Sequence, residues 1–274
     1  MLNESKYKFR DDTGMPQIAI IGGTGIYNPD TFELIEKVFP DTPYGKPSDE
    51  ILIGKIAGVE VAFLHRHGTT TPYPPSSVPY RANMYALKEL GCKYVISACA
   101  VGSLQRKYAA GDLVIVDQFI DFTKKRDYTY FNDSITHIAI PDPFCQYLNG
   151  IFAETAKKLG IKYHNGGTYV CIEGPRFSTR AESKMFRQFG DIIGMTVVPE
   201  CQLARELGMC YCSLATITDY DAWKEETVDI EVVRKTMKAC LDKVLKLLES
   251  GLPKIKAEGC CDCVKAAIGC GALK

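Results

Sequence analysis

The amino-acid sequence predicts an α/β domain built on a mainly parallel or mixed sheet. The first observation is that short apolar runs of strand composition alternate with segments of helical composition along most of the 274 residues. The second is that the apolar run ending at Ile217 leads directly into acidic residues, as expected where open α/β sheets bind ligands. Because no repeat or linker precedes Pro253, one domain is predicted over residues 1–252, followed by a cysteine-rich tail over 253–274.

The individual elements follow from apolar runs and from the residues that end them. Glycine stops three of the predicted helices, at Gly91, Gly160 and Gly208. Four prolines between Thr69 and Pro79 predict an extended loop, and an amphipathic pattern predicts a long last helix. Strands are predicted over residues 16–21, 59–64, 94–101, 113–119, 168–172, 191–195 and 210–217, and helices over 80–90, 148–159, 177–189, 199–207 and 230–248.

The charge balance restricts the possible partners. Lys plus Arg and Asp plus Glu number 33 each, so the formal net charge is zero. A chain with no field of one sign is not typical of a protein whose main partner is nucleic acid or a membrane. No apolar run approaches the roughly 20 residues of a membrane span, and the N-terminus lacks a signal-peptide core. A cytoplasmic location is therefore expected, and zero net charge favours self-association.

The segment from Thr218 to Asp221 places two carboxylates at the end of a buried strand. Continued alternation would put Asp219 and Asp221 on one side and Tyr220 on the other. Two acids that face one pocket suit a ligand rich in N–H donors, or general acid catalysis. A solvated turn at the strand end is the alternative interpretation.

Two other strand ends have the composition of an anion site. Gly22-Gly23-Thr24-Gly25 follows a strand directly, and its backbone N–H groups and the Thr24 hydroxyl can donate to an anion. The dinucleotide motif G-x-G-x-x-G is not met, because residue 28 is asparagine. Arg66 and His67 add a guanidinium and an imidazole. Free phosphate is therefore a plausible ligand, while a tight turn and a structural histidine are the alternatives.

The twelve cysteines are many for a cytoplasmic enzyme, and four of them crowd the last fifteen residues: Cys260, Cys261, Cys263 and Cys270. They include Cys-x-x-Cys and Cys-x-Cys spacings. A zinc knuckle requires a second matched pair, and none lies nearby in the sequence. The tail is therefore interpreted as redox-active or disulfide-bonded, or else as a loose segment with reduced thiols.

A family resemblance rests on the segment from Ile172 to Ser183, which reads Ile-Glu-Gly-Pro-Arg-Phe-Ser-Thr-Arg-Ala-Glu-Ser. It resembles the signature of the 5'-methylthioadenosine phosphorylases, in the trimeric branch of the purine nucleoside phosphorylases. Further matching segments are the Gly22 turn and residues 66–68, 80–83, 111–121, 143–145, 194–196 and 219–221. The resemblance implies a single-domain nucleoside phosphorylase fold with a central mixed sheet flanked by helices.

The same resemblance implies an enzyme, a pentosyltransferase of purine and methionine salvage. Phosphate would attack C1' of 5'-methylthioadenosine, releasing adenine and forming 5-methylthioribose 1-phosphate. No cofactor is expected beyond phosphate as co-substrate, and no metal. By match to the family, the phosphate contacts are Thr24, Arg66, His67, Cys99, Ala100 and Thr196. Cys99 stands where the family often has a hydroxyl residue, and a thiol is a weaker donor.

The remaining site residues also follow from the resemblance. Asp219 matches the catalytic residue that serves purine N7, either by proton transfer or by accepting a hydrogen bond from N7–H. Asp221 is expected to accept from the exocyclic amine of adenine. Met195 matches the residue under the ribose, and His137 one that a neighbouring subunit donates, which implies a homotrimer or a dimer of trimers. The other expected contacts are Phe177, Ser178 and Tyr220 near the base and Ile230 and Val233 near the methylthio group.

Other hypotheses remain open at this level. A purine nucleoside or methylthioinosine phosphorylase on the same scaffold is the nearest alternative, and a non-catalytic nucleotide-binding or redox module is a different class. No histidine lies beyond His164 to serve a 5'-hydroxyl, which favours the methylthio substrate. By resemblance to heat-adapted relatives, Cys145 and Cys210 are a candidate disulfide. Arg176 is expected to pair with Glu182, and Glu200 is given no catalytic role.

Overall fold

Apolar runs form the centre of an eleven-stranded mixed sheet within the described part of the chain. The computed structural model describes residues 15–23, 25–132, 136–224, 230–256, 261 and 263; between residues 230 and 237 it describes only the side chains of Glu231 and Thr236. The strands are β1 (Ile18–Gly22), β2 (Glu33–Val38), β3 (Ile51–Ile56), β4 (Val59–His65), β5 (Tyr94–Ser103), β6 (Leu113–Ile115), β7 (Gln118–Phe122), β8 (Tyr163–Asn165), β9 (Thr168–Ile172), β10 (Ile192–Gly194) and β11 (Cys210–Asp219).

The helices cover both faces of this sheet. They are α1 (Tyr80–Glu89), α2 (Gln146–Lys158), α3 (Arg180–Phe186), α4 (Val197–Glu206) and α5 (Ile230–Gly251), with short 3₁₀ turns at Pro75–Ser77, Asp221–Trp223 and Leu252–Lys254. One cluster of buried side chains includes Met84 of α1 and Leu203 of α4. A second includes Phe152 of α2 and Leu248 of α5. The α/β domain with a mixed sheet, predicted from the alternation of elements, is confirmed.

Strand β5 pairs with three other strands, and its pairing leaves an opening in the sheet. It pairs in parallel with β1 up to Ser97 and with β11 along most of its length. Its last residues, Gly102 and Ser103, pair with antiparallel β10 instead of β1. Between Ala98 and Val101 the edge of β5 that faces away from β11 therefore has neither neighbour. Since β1, β4, β5 and β11 are all parallel, their carboxyl ends meet at this opening, which is where such sheets bind ligands.

Two departures from the predicted elements have clear causes. The strand predicted over residues 113–119 is two strands, β6 and β7. Strand β6 pairs with β11 and β8, whereas β7 pairs with β9, so the two strands belong to different ladders. The strands β2, β3 and β8 were not predicted. Strand β2 is mostly exposed and lacks the alternation on which a strand prediction depends, and β8 is only three residues long.

The helix predicted over residues 177–189 is shorter, because Thr179 caps its start. The Thr179 hydroxyl accepts from the backbone N–H of Glu182, whose carboxylate accepts from the backbone N–H of Thr179. The residues before the cap, Phe177 and Ser178, are left in a loop. Among the described residues, no helix has the length and apolar character to cross a membrane.

Candidate active site

A cavity of about 600 Å³ opens where the carboxyl ends of the parallel strands meet. The volume is in the usual range for small-molecule sites. Its walls are the strand ends of the sheet, the loop before α3, the start of α4 and one face of α5. Both groups of residues singled out in the sequence line this single cavity. They are Arg66, His67, Cys99, Ala100 and Thr196 from the predicted anion site, and Asp219 and Asp221 from the acid pair.

Arg66 follows β4 directly and is held by a dense network, with only 2% of its surface exposed. Its Nε lies 2.5 Å from Oε1 of Glu200, and its Nη2 lies 3.1 Å from Oε2. Nη2 also donates to the Ser97 hydroxyl and Nη1 to the carbonyl of Ala98. Burial opposes the charge, but the Glu200 carboxylate outweighs it and raises the pKa of Arg66 above its usual value. The guanidinium is therefore charged, oriented and largely neutralised by its partner.

Within the described ranges, His67 is held through only one of its two ring nitrogens. Its Nδ1 lies 2.9 Å from the carbonyl oxygen of Tyr73, so Nδ1 carries the proton and donates. Burial, together with the nearby charge of Arg66, lowers the pKa of His67. The neutral ring therefore presents Nε2 as a hydrogen-bond acceptor.

Cys99 contributes a thiol to the cavity wall, and Thr196 contributes a hydroxyl. Burial raises the pKa of Cys99, so its side chain is a neutral thiol, 3.6 Å from the Ser213 hydroxyl. Oγ1 of Thr196 is buried and makes no well-formed hydrogen bond among the described residues, although it interacts with the side chains of Cys99 and Tyr169. A Cβ at Gly194 would collide with the hydroxyl of Tyr169, so glycine is required for β10 to bring Thr196 to the cavity. Since its hydrogen-bonding capacity is not satisfied by a well-formed bond, the Thr196 hydroxyl can donate to a ligand.

Asp219 ends β11 with both carboxylate oxygens engaged. Oδ2 accepts from the Thr218 hydroxyl and Oδ1 from the backbone N–H of Asp221, each at 2.8 Å. A Cβ at Gly102 would lie 2.9 Å from Oδ1, so the glycine leaves room for this carboxylate. The side chain is thus fixed in orientation and acts as an acceptor.

Asp221 reaches the cavity by a different route from the one predicted. Strand alternation stops at Asp219, and Asp221 lies in a 3₁₀ turn with a φ of 48°. Burial raises the pKa of Asp221, partly offset by the hydroxyls of Ser183 and Ser178. Its Oδ2 is buried without a well-formed hydrogen bond among the described residues. The shared cavity was predicted, but the reason offered for it, alternation along one strand, was wrong.

A comparison with protein families finds a match that includes all the residues lining the cavity. The sequence profile of the phosphorylase superfamily matches residues 17–252. The chain belongs to the phosphorylase superfamily.

Similar curated proteins are S-methyl-5'-thioadenosine phosphorylases. This chain is 58% identical over 250 residues to the S-methyl-5'-thioadenosine phosphorylase of Pyrococcus horikoshii, and the match covers 91% of this chain and 96% of that protein. It is 59% identical to the enzyme of that name from Thermococcus kodakarensis, with the same coverage.

Solved structures give the same result. A methylthioadenosine phosphorylase from an Antarctic soil metagenomic library is similar with a TM-score of 0.89 and 42% identity, covering 94% of this chain and 93% of that one. The Schistosoma mansoni methylthioadenosine phosphorylase in complex with adenine has a TM-score of 0.87 and 35% identity, covering 93% and 96%. The predicted family and the nucleoside phosphorylase fold are therefore confirmed.

Two positioning residues of this phosphorylase-superfamily site were missed in the sequence. Glu200 was read only as a residue of a first helical turn, yet it holds Arg66 and accepts from the Tyr211 hydroxyl at 2.8 Å. Arg126 donates to the backbone carbonyls of Met195 and Glu173, at 2.7 and 2.8 Å, and so ties the ends of β9 and β10 together. Nothing in the basic run at 124–126 distinguishes this buried arginine from the lysines before it.

The remaining predicted residues fall in different places. Met195 and Phe177 line the cavity, and Phe177 is 51% exposed. Ser178 is buried behind Asp221 and does not line the cavity. Thr24 and the side chains of Ile230 and Val233 lie outside the described residues.

Two predicted contacts are not at the cavity of this chain. Tyr220 packs edge-on against Trp223 with Lys224 Nζ 3.4 Å from its ring centre, because the backbone turns at Tyr220 and points the ring outward. His137 is exposed and does not line the cavity. The expected pair of Arg176 and Glu182 is confirmed by contacts of 2.6 and 2.7 Å.

Proposed function

We propose that this chain catalyses the phosphorolysis of 5'-methylthioadenosine to adenine and 5-methylthioribose 1-phosphate. The observation that carries the proposal is the single cavity lined by an anion site and, at the end of a neighbouring strand, by a pair of carboxylates. A phosphate and a purine nucleoside must lie together for the reaction, and holding them in attack geometry lowers the barrier.

The phosphate end relies on directed hydrogen bonds more than on net charge. Arg66 is already paired with Glu200, so it contributes an oriented donor rather than an uncompensated charge. The Thr196 hydroxyl, which makes no well-formed hydrogen bond among the described residues, donates to a phosphate oxygen, and Cys99 and Ala100 border the same space. Nε2 of neutral His67 accepts a hydrogen bond from the P–OH group of monohydrogen phosphate. These contacts position one phosphate oxygen beneath C1' of the ribose.

The purine end stabilises the leaving base. As the phosphate oxygen bonds to C1', the bond from C1' to N9 breaks and its electron pair moves into the purine ring. Protonation at N7 avoids a bare purine anion. Asp219, already fixed as an acceptor by Thr218 and the Asp221 backbone, accepts the hydrogen bond from N7–H, with the proton coming from water.

Asp221 selects the 6-amino group of the base. Its buried Oδ2 has no well-formed hydrogen bond among the described residues and accepts from the exocyclic N–H of adenine. A 6-oxopurine would place an acceptor against an ionised carboxylate, and such a buried mismatch gives strong discrimination. Ile26, Leu241 and Val244 give the cavity an apolar wall that suits a methylthio group.

The assembly and its setting are part of this proposal. We infer a homotrimer, or a dimer of trimers, in which the partner subunit's His137 completes the 5' end of the site. No cofactor acts in the reaction apart from phosphate as co-substrate. The enzyme acts in the cytoplasm in purine and methionine salvage, and neither nucleic acid nor membrane is a partner.

Steady-state kinetics on four nucleosides test the proposal. With saturating phosphate, we expect the highest kcat/KM for methylthioadenosine, a lower value for adenosine, and much lower values for methylthioinosine and inosine. Omission of phosphate should abolish release of the base. Preference for inosine would instead establish a purine nucleoside phosphorylase, and phosphate-independent release or no release would reject phosphorolysis altogether.

A further inference from the structure

Four cysteine thiols from three distant parts of the chain come together at the amino end of β11. They are Cys145, which precedes α2, Cys210, the first residue of β11, and Cys261 and Cys263 of the tail. Their sulfur atoms all lie within 4.8 Å of one another, and those of Cys210 and Cys261 are 3.1 Å apart. Three of the four residues are buried, and Cys261 is partly exposed. The proposed phosphorolysis uses none of them.

We propose that these four thiols bind one Zn²⁺ ion as a closed structural tetrathiolate site. Tetrahedral Zn²⁺ with Zn–S bonds of about 2.3 Å requires sulfur atoms roughly 3.8 Å apart. The observed cluster differs from this by only about an ångström, within the reach of cysteine rotamers. Four sulfur ligands leave no open position for water or substrate, so the site is structural and not catalytic.

The fold supplies the second cysteine pair that the sequence lacks near the tail. The backbone N–H of Cys145 donates to the carbonyl of Tyr211 at 2.8 Å, which holds Cys145 beside Cys210. These two residues form one half of the site on rigid elements. The Cys-x-Cys of the tail forms the other half, with a spacing one residue shorter than the Cys-x₂-Cys typical of zinc sites. This proposal revises the expectation that the chain binds no metal.

The tail is fastened close to the cluster before it reaches Cys261. Lys256 donates its backbone N–H to the Tyr147 hydroxyl at 2.9 Å, and its carbonyl accepts from the Tyr94 hydroxyl at 3.1 Å. Tyr147 follows Cys145 by two residues on α2. The approach of Cys261 and Cys263 is therefore supported by contacts that do not involve sulfur.

A buried cation, Arg205, has two nitrogens without a hydrogen-bond partner in the part of the chain that the structure describes. These are Nε and Nη1, and Arg205 lies on α4. The guanidinium acts electrostatically on Cys263. A tetrathiolate zinc centre carries two negative charges, so it would stabilise this otherwise costly buried cation. Binding involves no oxidation: each thiol loses one proton, and up to four protons are released for each Zn²⁺ bound.

Metal analysis of protein purified under anaerobic, reducing conditions tests the proposal directly. We expect one zinc per chain in the wild type and almost none after Cys261→Ser with Cys263→Ser, a change in the tail that leaves the sheet intact. Cys212→Ala, which removes a buried thiol two residues from Cys210 on the same strand, is the matched control and should retain zinc. Reconstitution with Co²⁺ should produce the visible absorption of a tetrahedral tetrathiolate in the wild type and the control only.

A thermal measurement provides a second readout that is independent of activity. Chelation should lower the Tm of the wild type and the control by about 5–10 °C, because a metal bound only to the folded state stabilises it. The tail double variant should not respond. Zinc-free protein with no cobalt spectrum would overturn the proposal. Disulfides would be identified by thiols that become reactive only after a reductant and by a Tm that responds to reductant but not to chelator.

Discussion

The two ends of β11 differ in what they contribute: one lies at the candidate active site and the other at the cysteine cluster. Its carboxyl end carries Asp219 into a cavity where parallel strands converge. Its amino end carries Cys210 into a cluster of thiols that includes the tail. The carboxyl end takes part in the proposed chemistry, whereas the amino end fastens chain segments together. Changes at the carboxyl end should therefore affect rates, and changes at the amino end should affect stability.

The largest effect is expected from Asp219→Ala. Loss of the group that accepts from N7–H should lower kcat by about 10²–10⁴-fold, the usual range for a group that assists proton transfer. The Tm should change little, because Asp219 is only partly buried and its bonds are local. Measurement of kcat and Tm on the same preparation checks both parts, and retained turnover would exclude Asp219 from the mechanism.

Glu200→Gln should weaken both function and stability. It leaves the buried Arg66 guanidinium without its counter-charge, and breaking a buried pair costs about 3–5 kcal/mol. Denaturant unfolding and the KM for phosphate are the two measurements. Tyr211→Phe is the matched control, because it removes one hydrogen bond to Glu200 and should cost only about 0.5–1.5 kcal/mol. Equal losses in the two variants would contradict the importance assigned to the ion pair.

Thr196→Val tests the hydroxyl that is proposed to donate to phosphate. Loss of one hydrogen bond to a charged ligand costs about 1.5–3 kcal/mol, so the KM for phosphate should rise roughly 10–150-fold. Thr196→Ser, which keeps the hydroxyl, should remain close to the wild type. An unchanged KM in the valine variant would place phosphate elsewhere in the cavity.

Asp221→Asn should reveal the raised pKa of Asp221. Since the folded pKa lies above the unfolded value near 3.8, burial of the ionised form destabilises the fold as pH rises through that interval. The variant lacks this cost, so its stability relative to the wild type should increase from acid to neutral pH, by about 1.4 kcal/mol for each unit of pKa shift. The measurement is urea unfolding at a series of pH values. A difference independent of pH would show that Asp221 does not titrate abnormally.

The smallest effect on rate is expected from the tail. Cys261→Ser with Cys263→Ser should leave kcat/KM for methylthioadenosine within about twofold, because distant sites without shared partners behave independently. A large loss of activity would show that the two ends of β11 are coupled and would support the alternative in which the tail controls the site.

Local patterns were sufficient for much of the fold. Apolar runs ending in glycine or acid located β1, β5 and β11, and the segment from Ile172 to Ser183 indicated the family. They were insufficient for β2, whose exposed side chains carry no alternation, and for the start of α3, which depends on the Thr179 cap. They also missed Arg126, which binds the carbonyl of Met195 69 residues away, and Glu200, which binds Arg66 134 residues away.

The sequence by itself determined which strand ends bear residues able to bind or react with a ligand. It could do so because strand periodicity and turn residues are patterns of only a few consecutive positions. What only the tertiary structure decided is which distant groups meet. The opening beside β5, the pair of Arg66 with Glu200, and the approach of Cys145 to the tail thiols all depend on strand order and helix packing. The physical reason is that a buried charge or thiol takes its properties from its partners, and those partners are chosen by the fold rather than by neighbours along the chain.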